Sequence, residues 1–132
     1  MGKKVLFVCV GNSARSQMAE AFFNHLAEGK AKAISAGTHP ASSVAPVVVK
    51  LMKEIGIDLS SGTPKPLTEE LLEDVSRVIT MGCGVQESCP LNLGLNIDED
   101  WGLEDPIGKS EDEVRKIRDE IQRRVARLLR QL

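Results

Sequence analysis

The residues best suited to chemistry gather in one short stretch, Cys9-Val10-Gly11-Asn12-Ser13-Ala14-Arg15-Ser16. A compact apolar run precedes it and a helix-like segment follows, so it reads as the turn after a first strand. In open α/β sheets ligands bind beyond the carboxyl ends of strands, and that turn is a usual place. Consecutive backbone N–H groups in a tight loop that runs into a helix N-terminus form a concave anion site. Gly11 and Asn12 are the residues that best tolerate the positive φ such a nest requires. Arg15 adds a planar fork able to hold two oxygens of a tetrahedral oxyanion. The expected oxyanion-binding residues are therefore Val10, Gly11, Asn12, Ser13, Ala14, Arg15 and Ser16.

Cys9, at the base of this loop, would feel the same field. A free thiol with a pKa of about 8.5 is only about 3% thiolate at pH 7. A pKa lowered to about 6 would make it roughly 90% thiolate. The bland alternative is a buried strand-end cysteine beside a surface arginine, because free cysteine is often buried. Ser13 and Ser16 could donate hydroxyl hydrogen bonds to the thiolate or to a bound oxyanion, and Ser16 could equally cap the following helix.

The elements that must position this loop alternate between strand and helix. Lys4 to Cys9 reads as a buried central strand. Ser16 to about Glu28 reads as a helix with Met18, Ala19, Phe22, Phe23 and Leu26 on one apolar face. Ala31 to Ser35 is a second strand, Pro46 opens a helix ending near Gly56, and Thr68 caps a short helix through Leu72. Ser76 to Met81 is a third strand and Asn92 to Ile97 a weaker fourth. Ser110 with Glu113 forms a capping box, after which Val114, Ile117, Ile121, Val125, Leu128 and Leu132 make a buried stripe. The basic residues of that helix, Arg118 among them, are expected on a solvated face. Such alternation predicts a doubly wound α/β fold: a four-stranded parallel sheet with helices on both faces. The 132 residues suit one domain.

The stretch Val8 to Glu20 resembles the low-molecular-weight tyrosine phosphatase superfamily, and in particular its thioredoxin-coupled arsenate reductase branch. The resemblance continues through Ser35-Ala36-Gly37-Thr38, Ile79-Thr80-Met81, Cys89-Pro90 and Trp101-Gly102-Leu103-Glu104-Asp105-Pro106. It implies that Cys9 is the nucleophile, that Arg15 and the loop amides hold the oxyanion, and that Asp105 is the general acid. By chemistry alone Glu104, next door, would serve as well. The resemblance also implies a three-thiol relay. Cys9 forms a thiol-arsenate adduct, Cys83 attacks Cys9 and releases arsenite, and a Cys83–Cys89 disulfide is passed to thioredoxin or a similar thiol donor. Gly82 stands where the reductases place their second cysteine, so Cys83 comes one residue later. In the phosphatase branch aromatic residues usually follow the Asp-Pro, whereas Ile107-Gly108 follows it in this chain, which has no tyrosine. Phosphatase action through a phosphocysteine at Cys9 is the first alternative, and a thiol redox sensor or oxyanion-binding protein the second.

No cofactor and no metal is expected. Asn12, Glu20 and Ser35 match positions that help bind potassium in some reductases, but those relatives add an aspartate near position 65, where this chain reads Thr63-Pro64-Lys65, and a lysine there would repel a cation. A formal charge of −2 argues against a nucleic-acid partner, and the six-residue apolar run after Met1-Gly2-Lys3-Lys4 is too short for a membrane span or a signal core. Three cysteines, an odd number, suit a reducing compartment. A cytoplasmic monomer acting on arsenate or phosphate is the resulting expectation.

Overall fold

A computed structural model describes residues 3–73, 75–81 and 98–132. Among them the element order is β1 (Lys3–Cys9), α1 (Arg15–Ala27), β2 (Ala31–Gly37), α2 (Pro46–Lys53), α3 (Glu69–Leu72), β3 (Arg77–Thr80), β4 (Glu99–Asp100) and α4 (Glu111–Gln131). The sheet order is β2-β1-β3-β4 and every pairing is parallel, as the alternation predicts.

β1 is central because both of its faces are apolar. Val5, Phe7 and Cys9 join the larger core with α1, α2 and α4, while Leu6 and Val8 join a smaller one with Ala36 and Val78. Alternation along a strand thus sends the Cys9 side chain to the α1 face. Phe7 lies at the middle of that core, 6.1 Å from the Phe23 ring and 5.4 Å from the Trp101 ring. Among the described residues no helix is long and apolar enough to cross a membrane.

Several expectations are corrected. Leu26 is partly exposed and Ala27 is the buried residue at the end of α1. The stretch expected to form a strand, Asn92–Ile97, lies outside the described residues and is neither corrected nor borne out; among those described the fourth strand is Glu99–Asp100. That pair is acidic and a poor strand former, but it is pinned to β3 by side chains. Asp98 Oδ2 accepts from the Val78 amide at 2.7 Å, and Thr80 Oγ1 donates to Asp100 Oδ1 at 2.8 Å.

Arg118 is buried rather than solvated. It lies four residues after Val114 and three before Ile121, on the inward stripe of α4, with Ile117 only half-buried beside it. Its guanidinium reaches through to α2, donating to the Leu51 carbonyl at 2.9 Å and to Glu54 at 2.9 Å. Arg115 meets the same carboxylate with two hydrogen bonds, at 3.1 and 2.7 Å. These two partners, Arg115 foremost, hold the Glu54 carboxyl down to about 2 from an ordinary 4.5. A depressed carboxyl favours the folded state above its unfolded pKa, and that contribution fades as pH falls from about 4.5 toward 2. Glu54→Gln is therefore expected to lower the melting temperature by a few degrees at pH 7. The gap from the parent should close in melts recorded near pH 2.

Candidate functional site

The loop between β1 and α1 is shaped by a backbone brace from residues 38–45. The Thr38, His39, Ala41 and Ala45 amides donate to the carbonyls of Cys9, Val10, Gly11 and Ser13, at 3.1, 2.8, 2.9 and 2.9 Å. In a trans peptide C=O and N–H point opposite ways, so the amides of Val10, Gly11, Asn12 and Ala14 turn away from the brace. One of them shows where they turn: the Asn12 N–H donates to Cys9 Sγ at 3.1 Å. One detail of the loop's backbone differs from the expectation. Asn12 alone takes positive φ, 49°, and Gly11 does not.

Asn12 is fully buried and its side chain organises the floor of the loop. Its Oδ1 accepts from Gln17 Nε2 at 3.2 Å and from the Lys65 amide at 2.8 Å. That fixes the orientation of the amide, and Nδ2 donates to Ser16 Oγ at 2.7 Å. Ser16 Oγ is 2.8 Å from Cys9 Sγ. With its oxygen accepting from Asn12, the hydroxyl proton is available to the sulfur. Ser16 therefore faces the thiol and does not cap the helix; α1 begins at Arg15, and Ala14 occupies the cap position. Two N–H or O–H donors aimed at one sulfur favour its ionised form.

Arg15 is buried at the mouth of the loop, with Nη1 donating to the Leu103 carbonyl at 2.7 Å and the Met81 carbonyl at 3.4 Å. Asp105 arrives there on a strip zippered along β3. The Asp98, Trp101 and Leu103 amides donate to the carbonyls of Val78, Thr80 and Met81. Asp105 Oδ1 accepts from the Ile107 amide at 3.0 Å, and Oδ2 stands 3.9 Å from Arg15 Nη2. Glu104 instead pairs with Lys109 at 3.2 Å. Of the two neighbouring acids, Asp105 is the one facing the loop. Cys83 and Cys89 lie outside the described residues, as do their distances to Cys9.

Three contributors escaped the sequence reading. Residues 38–45 act through their backbone, which leaves no side-chain signature. Gln17 ties Asn12 to the Thr63 carbonyl at 3.2 Å. Gly37, opposite Cys9 in the β1–β2 register, lets β2 pass directly beneath the loop. Glu20 and Ser35 are paired, the Ser35 hydroxyl donating to Glu20 Oε1 at 3.0 Å, and Lys65 Nζ stands 3.6 Å from the same oxygen.

Comparison with known proteins gives a consistent result. The family model described as low molecular weight phosphotyrosine protein phosphatase matches residues 4–132. A protein of Synechocystis named glutaredoxin arsenate reductase is 42% identical over 128 residues, 96% of each chain. A thioredoxin-dependent arsenate reductase structure from Corynebacterium glutamicum aligns at 38% identity with a TM-score of 0.80. It covers 98% of this chain and 61% of that one. A low molecular weight protein tyrosine phosphatase structure from T. tengcongensis aligns at 29% identity with a TM-score of 0.87, over 99% of this chain and all of that one.

Proposed function

The chain belongs to the low molecular weight phosphotyrosine protein phosphatase family, and on that premise we propose that it is an arsenate reductase using Cys9, Cys83 and Cys89. The observation that carries this reading is the Cys9 sulfur held by Asn12 N–H and Ser16 Oγ within a loop of outward-tied carbonyls. Two further cysteines in the chain, Cys83 and Cys89, supply both electrons of the net reduction and the exit route, since Cys9 is regenerated. Similarity to the named reductases, 42% and 38%, exceeds that to the phosphatase, 29%.

Arsenate lies against the loop amides, and Arg15 neutralises its charge. The Cys9 thiolate attacks arsenic, an S–As bond forms, and one arsenate hydroxyl leaves as water with the proton that Asp105 donates. The product is a Cys9–S–As(V) adduct. The Cys83 thiolate then attacks the Cys9 sulfur; an S–S bond forms, the S–As bond breaks, and its electron pair reduces arsenic to As(III), which leaves as arsenite. Cys89 displaces Cys9 from this disulfide and returns it as thiolate. A dithiol donor, thioredoxin or one like it, reduces the Cys83–Cys89 disulfide. The protein acts as a cytoplasmic, single-domain monomer without cofactor or metal.

The test uses fully reduced protein, no donor and no oxygen. Arsenate is added, with phosphate as the control, and intact-mass and peptide analysis look for disulfides. A Cys83–Cys89 link formed only with arsenate is the expected result. Three free thiols combined with hydrolysis of an aryl phosphate would replace this reading by a phosphatase. Neither reaction would leave an oxyanion-binding or redox-sensing protein.

A further inference from the structure

We propose that Lys65 is a positioning residue for the Cys9 chemistry: its ammonium holds the Glu20 carboxylate as a neutral pair, keeping net negative charge from behind the oxyanion loop. The inference rests on Cys9 being the nucleophile of the proposed function. Four observations carry it. Glu20, a quarter exposed, stands 3.6 Å from the Lys65 ammonium and accepts from the fully buried Ser35 hydroxyl. The same Lys65 gives its backbone N–H to Asn12 Oδ1, so it is tied to the floor of the loop by its main chain. From Asn12 the contacts continue through Ser16 to the sulfur, at 2.7 and 2.8 Å. The Lys65 carbonyl, in turn, accepts from the Gly37 amide at 2.8 Å, which sets residues 63–66 beside the end of β2.

A lone carboxylate in that place would oppose both charges that the reaction gathers, the Cys9 thiolate and the incoming oxyanion. An ammonium beside it removes the opposition, and the partial exposure of both groups keeps the effect moderate. Of the described titratable groups, Arg15 and Asp105 pair at the mouth of the loop, Glu20 and Lys65 pair behind it, and His39 sits in the brace with its amide bonded to the Val10 carbonyl. Because the brace to Asn12 comes from the Lys65 backbone, a side-chain substitution leaves that hydrogen-bond donor in place.

The experiment measures alkylation of Cys9 by iodoacetamide against pH, resolved by peptide mass spectrometry. It is run on the full-length reduced protein and paired with titration of inorganic phosphate binding. Lys65→Met is expected to raise the alkylation midpoint by about half a unit, which is about threefold less thiolate below the midpoint, and to weaken phosphate binding by a similar factor. Glu20→Gln is expected to move both readouts the opposite way, the K65M/E20Q double variant to return them to the parent values, and Lys65→Arg to leave them there. A purely structural role would make both single variants change in the same direction, without rescue. That result, or unchanged midpoints in both, overturns the proposal. If K65M proves unfolded in a melt, E20Q carries the same test with the opposite sign. A parent midpoint at the ordinary thiol value of about 8.5 would instead sink the nucleophile reading, and this proposal with it.

Discussion

Cys83→Ser is expected to cut arsenate turnover by at least about 10³-fold while leaving hydrolysis of an aryl phosphate within about threefold of the parent. On the proposed mechanism the two reactions share everything up to the covalent adduct: the amides, Arg15, Asp105 and the Cys9 sulfur. They part at the next step. A phosphocysteine is cleared by water attacking phosphorus, which needs no second thiol. A thiol-arsenate adduct becomes arsenite only if an electron pair passes to arsenic as Cys9 is oxidised. A serine hydroxyl at position 83 is a poor nucleophile toward sulfur and forms no stable S–O link. Steady-state assays of both reactions on one preparation decide the matter, since a folding defect would lower both. Equal loss of the two activities would remove Cys83 from the mechanism. The Cys89→Ser variant gives a further check: it should complete one turnover, release arsenite, and stop as a Cys9–Cys83 disulfide. The shift of Cys83 by one residue relative to the reductases makes this experiment informative about the chain itself.

How far the site was legible from the residues depended on whether side chains or backbone did the work. The Cys9-to-Arg15 loop was legible because a positive-φ residue, a helix start and an arginine each leave a type-specific mark, and Asn12, Ser16 and Arg15 all face the sulfur or the mouth. The Ser110–Glu113 capping box was legible for the same reason, and the Glu113 amide donates to Ser110 Oγ at 3.2 Å. The brace from residues 38–45 was not. Ala41 and Ala45 contribute only N–H groups, which every residue except proline has. Arg118 was misplaced because residue type was weighed above helical phase, although a long aliphatic stem lets arginine sit on a buried stripe when its head finds partners. The choice between Asp105 and Glu104 was open to chemistry alone. In space the Ile107 amide holds one Asp105 oxygen while the other stands 3.9 Å from Arg15, which supports Asp105 as the proposed acid.

Gly37→Ala should lower kcat/KM for arsenate by about 10²-fold or more, with a loss of only about 1–3 kcal/mol in global stability. A Cβ built at Gly37 would lie 2.5 Å from the Val10 carbonyl oxygen, 3.0 Å from Asn12 Cβ and 3.1 Å from the Asn12 nitrogen. None of these is the yielding end of a flexible side chain. On one side, Gly37 is held by the hydrogen bond its amide donates to the Lys65 carbonyl and by its own carbonyl, which accepts from the Leu67 amide. On the other, the parallel register sets it opposite Cys9. With the glycine fixed, the loop is what must move. Moving Val10 and Asn12 turns the peptide planes whose amides form the nest, and it shifts the Asn12 N–H and the Asn12–Ser16 pair that face the sulfur. Displacements of about 1 Å near reacting atoms can cost two orders of magnitude in rate. The control is Gly56→Ala, at a turn 85° in φ with no atom within 4 Å of the added carbon. That substitution strains the backbone and so costs stability too, yet it stands away from the loop and should leave kcat/KM near the parent value. Activity loss at Gly37 with retained activity at Gly56, for matched losses in melting temperature, would tie the effect to loop geometry. Parallel losses in both variants would mean that stability alone limits the enzyme, and the close passage of β2 beneath the loop would then have no part in the chemistry.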